Sequence, residues 1–289
     1  MLNRRRFVAT SAVAFALPRF SLAAPSRYAA LATAIAALEK KHGGRIGFSL
    51  LDTETGERAM HRAEERFPMC STFKFLLAAA VLHRVDTQQD DLRRQVDVPA
   101  KPLLEVSPLT EEHAGGSMTL GALCAAVLIK SDNTAANVLL QTIGGPAEIT
   151  AYARSIGDAV TRLDRTEPTL NESLAGDPRD TSSPDSAVHD LQTLLLGNAL
   201  KPESRTQLTE WMQSCTTGIA RIRAKLPKDW RVADRTGSNG DHTTNDIAVL
   251  WPAGGSAPLL VAMYITQCPG PESRRNGMLA EVGRLIAAC

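Results

Sequence analysis

The chain has 289 residues, with 32 Lys+Arg against 31 Asp+Glu, a formal net charge of +1 and a pI near 7.7. So even a balance carries no basic footprint for nucleic acid, and 44% hydrophobic with 22% charged residues excludes a disordered chain. No run of 18 apolar residues occurs, so no spanning helix is expected. Residues 1–24 read as an export signal. Arg4-Arg5-Arg6 precedes the apolar stretch Phe7–Leu17, and Ser21-Leu22-Ala23-Ala24 suits signal peptidase. Arg4-Arg5-Arg6-Phe7 resembles a twin-arginine signal, which implies export in the folded state. Removing the four arginines of this segment leaves the rest of the chain near −3.

The first helix of the mature chain follows Ser26, its expected cap. Leu31, Ile35 and Leu38 form its apolar stripe, and Gly43-Gly44 ends it. Ile46–Asp52 and Arg58–Arg62 flank Thr53–Glu57 and read as a hairpin. Phe75, Leu76, Ala79, Leu82 and Val85 recur at helical spacing, and Thr119–Lys130, Thr134–Ile143 and Pro146–Ile156 continue the helical texture. Residues 162–183 have no periodicity, and so long a loop inside a domain is usually functional. Pro184–Leu196 and Glu203–Met212 are expected helices. Then Val232–Thr236, Thr243–Trp251 and Leu259–Thr266 read as strands, before a closing helix over Glu272–Ala287. Strands at both ends and helices between them predict an α/β (α+β) fold with two subdomains. An antiparallel sheet with covering helices takes residues 25–63 and 213–289. An all-helical part takes 64–212, including the 162–183 loop.

Four short patterns carry chemistry. In Ser71-Thr72-Phe73-Lys74 at a helix start, positions i and i+3 share a face, which sets the Lys74 amine beside the Ser71 hydroxyl. The helix N-terminus offers N–H groups to a developing oxyanion. Ser131-Asp132-Asn133 falls between two helices, where Asn133 reads locally as the cap of the second. Glu167 and Asn171, four apart in the aperiodic loop, are placed to share a water, and Arg165 and Asp180 bracket that loop for an ion pair. Arg235-Thr236-Gly237-Ser238 sets a cation, two hydroxyls and a close-approach glycine on one strand, which suits an anionic substrate. The five cysteines are odd in number with no Cys-x-x-Cys, and the six histidines form no ligand pattern, so neither a disulfide framework nor a metal centre is expected.

In this order and spacing, the four patterns resemble the signature of the class A serine β-lactamases. The resemblance runs from about Ile46 to the end and includes the stretches Thr161–Thr181 and Thr243–Pro252. It implies that Ser71 opens the β-lactam ring to form an acyl-enzyme. Lys74 and Glu167 are both candidate bases for acylation. Glu167 and Asn171 hold the deacylating water, and Ser131 protonates the departing nitrogen. Asn133 binds the acylamide side chain. The backbone N–H groups of Ser71 and Ser238 form the oxyanion hole, and Arg235, Thr236, Gly237 and Ser238 hold the substrate and its carboxylate. No metal and no cofactor are implied. Expected substrates are penicillins and some cephalosporins, hydrolysed by a periplasmic or secreted monomer without a membrane anchor. The alternatives are a penicillin-binding D,D-peptidase, which lacks the deacylating water that Glu167 and Asn171 supply, and a β-lactam sensor, which carries the acylation residues but is usually fused to a membrane segment.

Several positions depart from the family pattern. Arg235 stands where most members have Lys, and it resembles some carbenicillin-hydrolysing members. Val106 takes the place of an aromatic gatekeeper. Thr243–Ile247 resembles the cefotaxime-hydrolysing branch, with no arginine on that strand, so a compensating cation is expected from Arg274 or Arg275. Cys70 resembles the carbapenem-hydrolysing branch. The partner positions of two family bridges are Asn239 and Ala78, so neither disulfide is expected.

Overall fold

A computed structural model describes residues 27–289. The predicted export signal and the Ser26 cap lie outside the described residues.

Helix α1 (Ala29–His42) buries Leu31 and Ile35 and stops at Gly43, whose N–H bonds the Glu39 carbonyl. The hairpin β1 (Arg45–Asp52) and β2 (Arg58–His61) follows, then the short strand β3 (Phe67–Pro68). A single 3-10 turn, Cys70–Phe73, leads into α2 (Lys74–Asp86), whose residues Lys74–Leu82 are all buried. Next come β4 (Gln95–Asp97), β5 (Ser117–Thr119), α3 (Leu120–Ile129), α4 (Asn133–Ile143) and α5 (Pro146–Ser155). The long loop ends in β6 (Thr181–Ser182), which pairs with β3. Helix α6 (Pro184–Leu191) is capped by Ser183 and continues as one wider π turn over Gln192–Leu196. Then comes α7 (Pro202–Gln213). Strands β7 (Arg231–Ser238), β8 (Thr244–Trp251) and β9 (Leu259–Thr266) precede α8 (Glu272–Ala287).

Both ends of the chain build one antiparallel sheet in the order β2-β1-β9-β8-β7. Helices cover both of its faces. Ile46, Phe48, Leu50, Val261 and Met263 pack with Ile35 of α1 and Leu279 and Val282 of α8. Ala233, Ile247, Leu260 and Ala262 face the other core, shared with α2 to α7. Double coverage explains why Leu259–Thr266 is buried at every residue rather than alternately. It also leaves β7 as a sheet edge running beside the Cys70–Phe73 turn.

Candidate active site

Ser71 sits in the 3-10 turn and Lys74 opens α2, as the i, i+3 pattern predicts. The amide of Asn245, on β8, donates to the carbonyls of Pro68 (2.8 Å) and Met69 (3.0 Å), pinning the segment ahead of Ser71. Gly237 on β7 is packed so close to this turn that an added Cβ would fall 2.5 Å from the Met69 carbonyl. It would also lie 3.1 Å from the Ser71 nitrogen. Only glycine lets the strand edge come this close to Ser71.

Ser131 adopts a left-handed conformation, φ 61°, between α3 and α4. The cap of α4 is Asp132, not Asn133: its carboxylate accepts from Ala135 N (2.8 Å) and also from Leu109 N and Thr110 N. A carboxylate satisfies more donors than an amide oxygen, so Asp132 holds the helix start and the 104–110 loop together. Asn133 is thereby released to accept from Lys74 Nζ at 2.6 Å and to donate to the Glu105 carbonyl at 2.9 Å.

The 162–183 loop closes on the predicted ion pair. Asp180 accepts from Arg165 Nε (2.6 Å) and from the backbone N–H groups of Asp164 and Arg165. Asn137 of α4 bonds both backbone groups of Glu167, at 3.0 Å and 2.9 Å. Glu167 Oε1 lies 3.0 Å from Lys74 Nζ and accepts from Ser71 Oγ at 3.3 Å, while Oε2 accepts from Asn171 Nδ2 at 2.6 Å. The serine hydroxyl therefore turns to Glu167 rather than to Lys74, as the i, i+3 spacing had suggested. The ammonium is already committed to Ser131 O (2.9 Å), Ser131 Oγ (3.3 Å), Asn133 and Glu167. Burial lowers the Lys74 pKa to about 8; Glu167 opposes the shift and the nearby Arg235 adds to it.

Arg235 is wholly buried, and burial lowers its pKa. Its guanidinium donates to Ser71 O (3.1 Å), Leu128 O (3.1 Å) and Ser131 Oγ. It supports the floor of the groove from below. The groove itself, about 180 Å³, is lined by Ser71, Val106, Ser131, Asn133 and Asn171 on one side. Thr217, Arg221, Thr236, Gly237 and Ser238 line the other. All ten predicted site residues thus converge, with Lys74, Glu167 and Arg235 beneath the lining.

The expected compensating cation is not Arg274 or Arg275. Arg274 bonds the His42 and Pro269 carbonyls. Arg275 is spent on Thr244 Oγ1 and the carbonyls of Cys268, Gly270 and Gly240. The cation lining the groove is Arg221, which donates to the Gly237 and Asn245 carbonyls and pairs with Glu272 of α8 at 2.9 Å. No motif marks Arg221 in the sequence; it lies in a loop and reaches the site only through the packing of α8 on the sheet. Thr217, whose hydroxyl meets that of Thr236 at 2.5 Å, was equally unmarked, as were Asn137 and Asn245. Val106, 60% exposed with φ 57°, is among the residues that line the groove. Cys70, Cys124, Cys215 and Cys268 are buried and unpaired.

This fold, with a buried lysine–glutamate pair under a serine at a helix start, defines the penicillin-recognising serine enzymes of class A. The chain belongs to the β-lactamase enzyme family, whose model matches residues 30–288. It is a class A serine β-lactamase. It is 48% identical to β-lactamase L2 of Stenotrophomonas maltophilia over 99% of this chain and 98% of that one. It is 49% identical to β-lactamase CTX-M-25 of Escherichia coli, over 87% of this chain and 86% of the relative. Among solved structures, an ancestral class A β-lactamase superposes with a TM-score of 0.87 at 54% identity, covering 89% of this chain and 99% of that one. A β-lactamase from Xanthomonas campestris gives 0.87 at 47% identity, covering 89% and 97%.

Proposed function

We propose that this β-lactamase works through a Ser71 acyl-enzyme with Glu167 as the base in both half-reactions. The observation that carries this is the Glu167 carboxylate, which accepts from Ser71 Oγ with one oxygen and from Asn171 with the other. In acylation, Glu167 takes the Ser71 proton as Oγ attacks the lactam carbonyl. The new oxyanion turns toward the backbone N–H groups of Ser71 and Ser238. Ser131 Oγ already accepts from both Lys74 and Arg235, so its own hydrogen is free to pass to the departing nitrogen as the lactam C–N bond breaks; the proton on Glu167 then returns through Lys74 Nζ to Ser131 Oγ, which restores the Glu167 carboxylate. In deacylation, a water held by Glu167 and Asn171 loses its proton to Glu167 as its oxygen attacks the acyl carbon, and Glu167 passes that proton to Ser71 Oγ as the ester bond breaks and the opened acid leaves. Asn171 Oδ1 supports this role, because it is a buried acceptor with no protein partner.

Thr236, Ser238 and Arg221 take the ring carboxylate, with Arg235 acting from beneath, and Asn133 takes the acylamide. Penicillins and some cephalosporins are the proposed substrates. The proposed setting is a periplasmic or secreted monomer, exported by residues 1–24 and free of the membrane. Among the described residues no helix is long and apolar enough to span one. The groove lies between subdomains 25–63 with 213–289 and 64–212.

Intact-protein mass spectrometry with benzylpenicillin tests the mechanism. Wild type is expected to consume the drug without a lasting adduct, whereas Glu167→Ala acylates slowly and then retains one penicilloyl group. Ser71→Ala is expected to form no adduct and show no turnover. A persistent adduct on wild type would refute the hydrolytic role of the loop.

A further inference from the structure

Behind the β7 wall of the groove, three small polar groups stand in line. Thr236 and Thr217 both line the groove, and their hydroxyls meet at 2.5 Å. Among the described residues, the Thr236 hydroxyl has no other hydrogen-bond partner. Thr217 Oγ1 also lies 3.2 Å from the sulfur of Cys215, which is buried and does not line the groove. The segment is fixed in place. Cys215 N–H donates to the Met212 carbonyl of α7 (3.1 Å), and the N–H and hydroxyl of Thr216 both donate to the Ile129 carbonyl at the end of α3 (3.0 Å each). Burial pushes the Cys215 thiol pKa up, so the sulfur keeps its hydrogen.

A carboxylate accepts and cannot donate, so Thr236 serves it only with its hydrogen turned into the groove. A single hydrogen lies between the two threonine hydroxyls. If Thr236 supplies it, oxygen lone pairs face the substrate. If Thr217 supplies it, the Thr236 hydrogen is free for the carboxylate, and Thr217 Oγ1 keeps a lone pair open to the thiol S–H. The reverse order would spend the Thr217 hydrogen on sulfur, a weak acceptor. We infer that Cys215 is a positioning residue for the substrate's ring carboxylate: its S–H donates to Thr217, Thr217 donates to Thr236, and Thr236 donates to the substrate. The inference rests on the proposed placement of that carboxylate on Thr236. The acceptor that competes for the S–H is the Asp234 carboxylate, and both of its oxygens already accept from Arg223. Hydrogen bonds aligned head to tail polarise one another, so the thiol strengthens a contact that it does not itself make.

The test is a double-mutant cycle read in kcat and KM for benzylpenicillin. Cys215→Ala is expected to raise KM about threefold with little change in kcat, the scale of one lost hydrogen bond. Cys215→Ser, which keeps a donor at the same place, is expected to restore KM close to the wild-type value. Thr217→Val already cuts the chain, so adding Cys215→Ala to it is expected to change KM no further. An unchanged KM in Cys215→Ala overturns the chain. So does an equal loss in Cys215→Ser and Cys215→Ala, which would make the packing of sulfur the cause rather than its hydrogen. A Cys215→Ala effect as large beside Thr217→Val as in wild type also overturns it, by routing the effect through Asp234. Thr236→Val separates this inference from the reading beneath it. It is expected to raise KM by more than Cys215→Ala does, and an unchanged KM there would overturn the placement of the carboxylate itself.

Discussion

Arg235 illustrates how one buried side chain ties together the segments that form the groove. Wholly buried, it gives donors to Ser71 O, Leu128 O and Ser131 Oγ. Arg235→Ala leaves those acceptors unpaired and removes the positive charge beneath the groove. The expected cost is about 3 kcal/mol of stability, seen as a lower urea midpoint, together with more than a tenfold loss in kcat/KM. Arg235→Lys restores the charge but only part of the fork, so its losses are expected to be smaller in both measurements.

Lys74 makes a prediction about pH. Burial disfavours its charged form, so its folded pKa of about 8 lies below the ordinary lysine value. Between these two values the unfolded chain binds the extra proton and the folded chain does not. The group's contribution therefore favours folding progressively as pH rises through that window, after being unfavourable at neutral pH. Activity should move the opposite way. The ammonium organises Ser131, Asn133 and Glu167, so kcat/KM is expected to fall with an apparent pKa near 8. A kcat/KM that climbed through the same pH would make neutral Lys74 the acylation base instead of Glu167.

At the scale of elements, the site depends on how segments end. Helix α4 begins at Asp132, and the same carboxylate fastens the loop that carries Glu105 and Val106. Asp132→Ala removes a helix cap and leaves two loop N–H groups unpaired, at a cost of about 2–4 kcal/mol. A lower Tm is expected along with a raised KM, since the mouth of the groove loosens while the Ser71–Glu167 contact remains. The tripeptide Ser131-Asp132-Asn133 was legible as a helix start. Which of its residues caps was not, because Asp and Asn are nearly equal as caps and differ only in how many further donors arrive from 107–110. The Arg165–Asp180 closure was legible from opposite charges at the two ends of an aperiodic segment.

For the molecule as a whole, the catalytic turn is clamped to a sheet whose strands come from the other end of the chain. The amide of Asn245 bonds the Pro68 and Met69 carbonyls across 177 and 176 residues. Asn245→Ala is expected to cost about 1–3 kcal/mol and to lower kcat for every substrate alike, measured by thermal melts and by two substrates in parallel. A change confined to one substrate would show that Asn245 acts on specificity rather than on the position of Ser71.

The longer helices and the sheet assembled from both termini were readable in the sequence, and the ten residues singled out there do meet around one groove; the short strands β3, β4, β5 and β6, inside the part expected to be all-helical, were not, because two or three residues carry no period. Helical periodicity, turn residues and a serine with its lysine one turn on are local patterns, and local sterics and spacing suffice to specify them. The packing decided the rest: Ser71 turned to Glu167, Asp132 in place of Asn133 at the cap, Arg235 drawn under the floor, and Arg221 rather than Arg274 or Arg275 at the wall. Each depends on which donors and acceptors meet across segments far apart in the chain. A buried charge settles where its desolvation is best offset, and that place exists only once the sheet, the helices and the loop have closed around it.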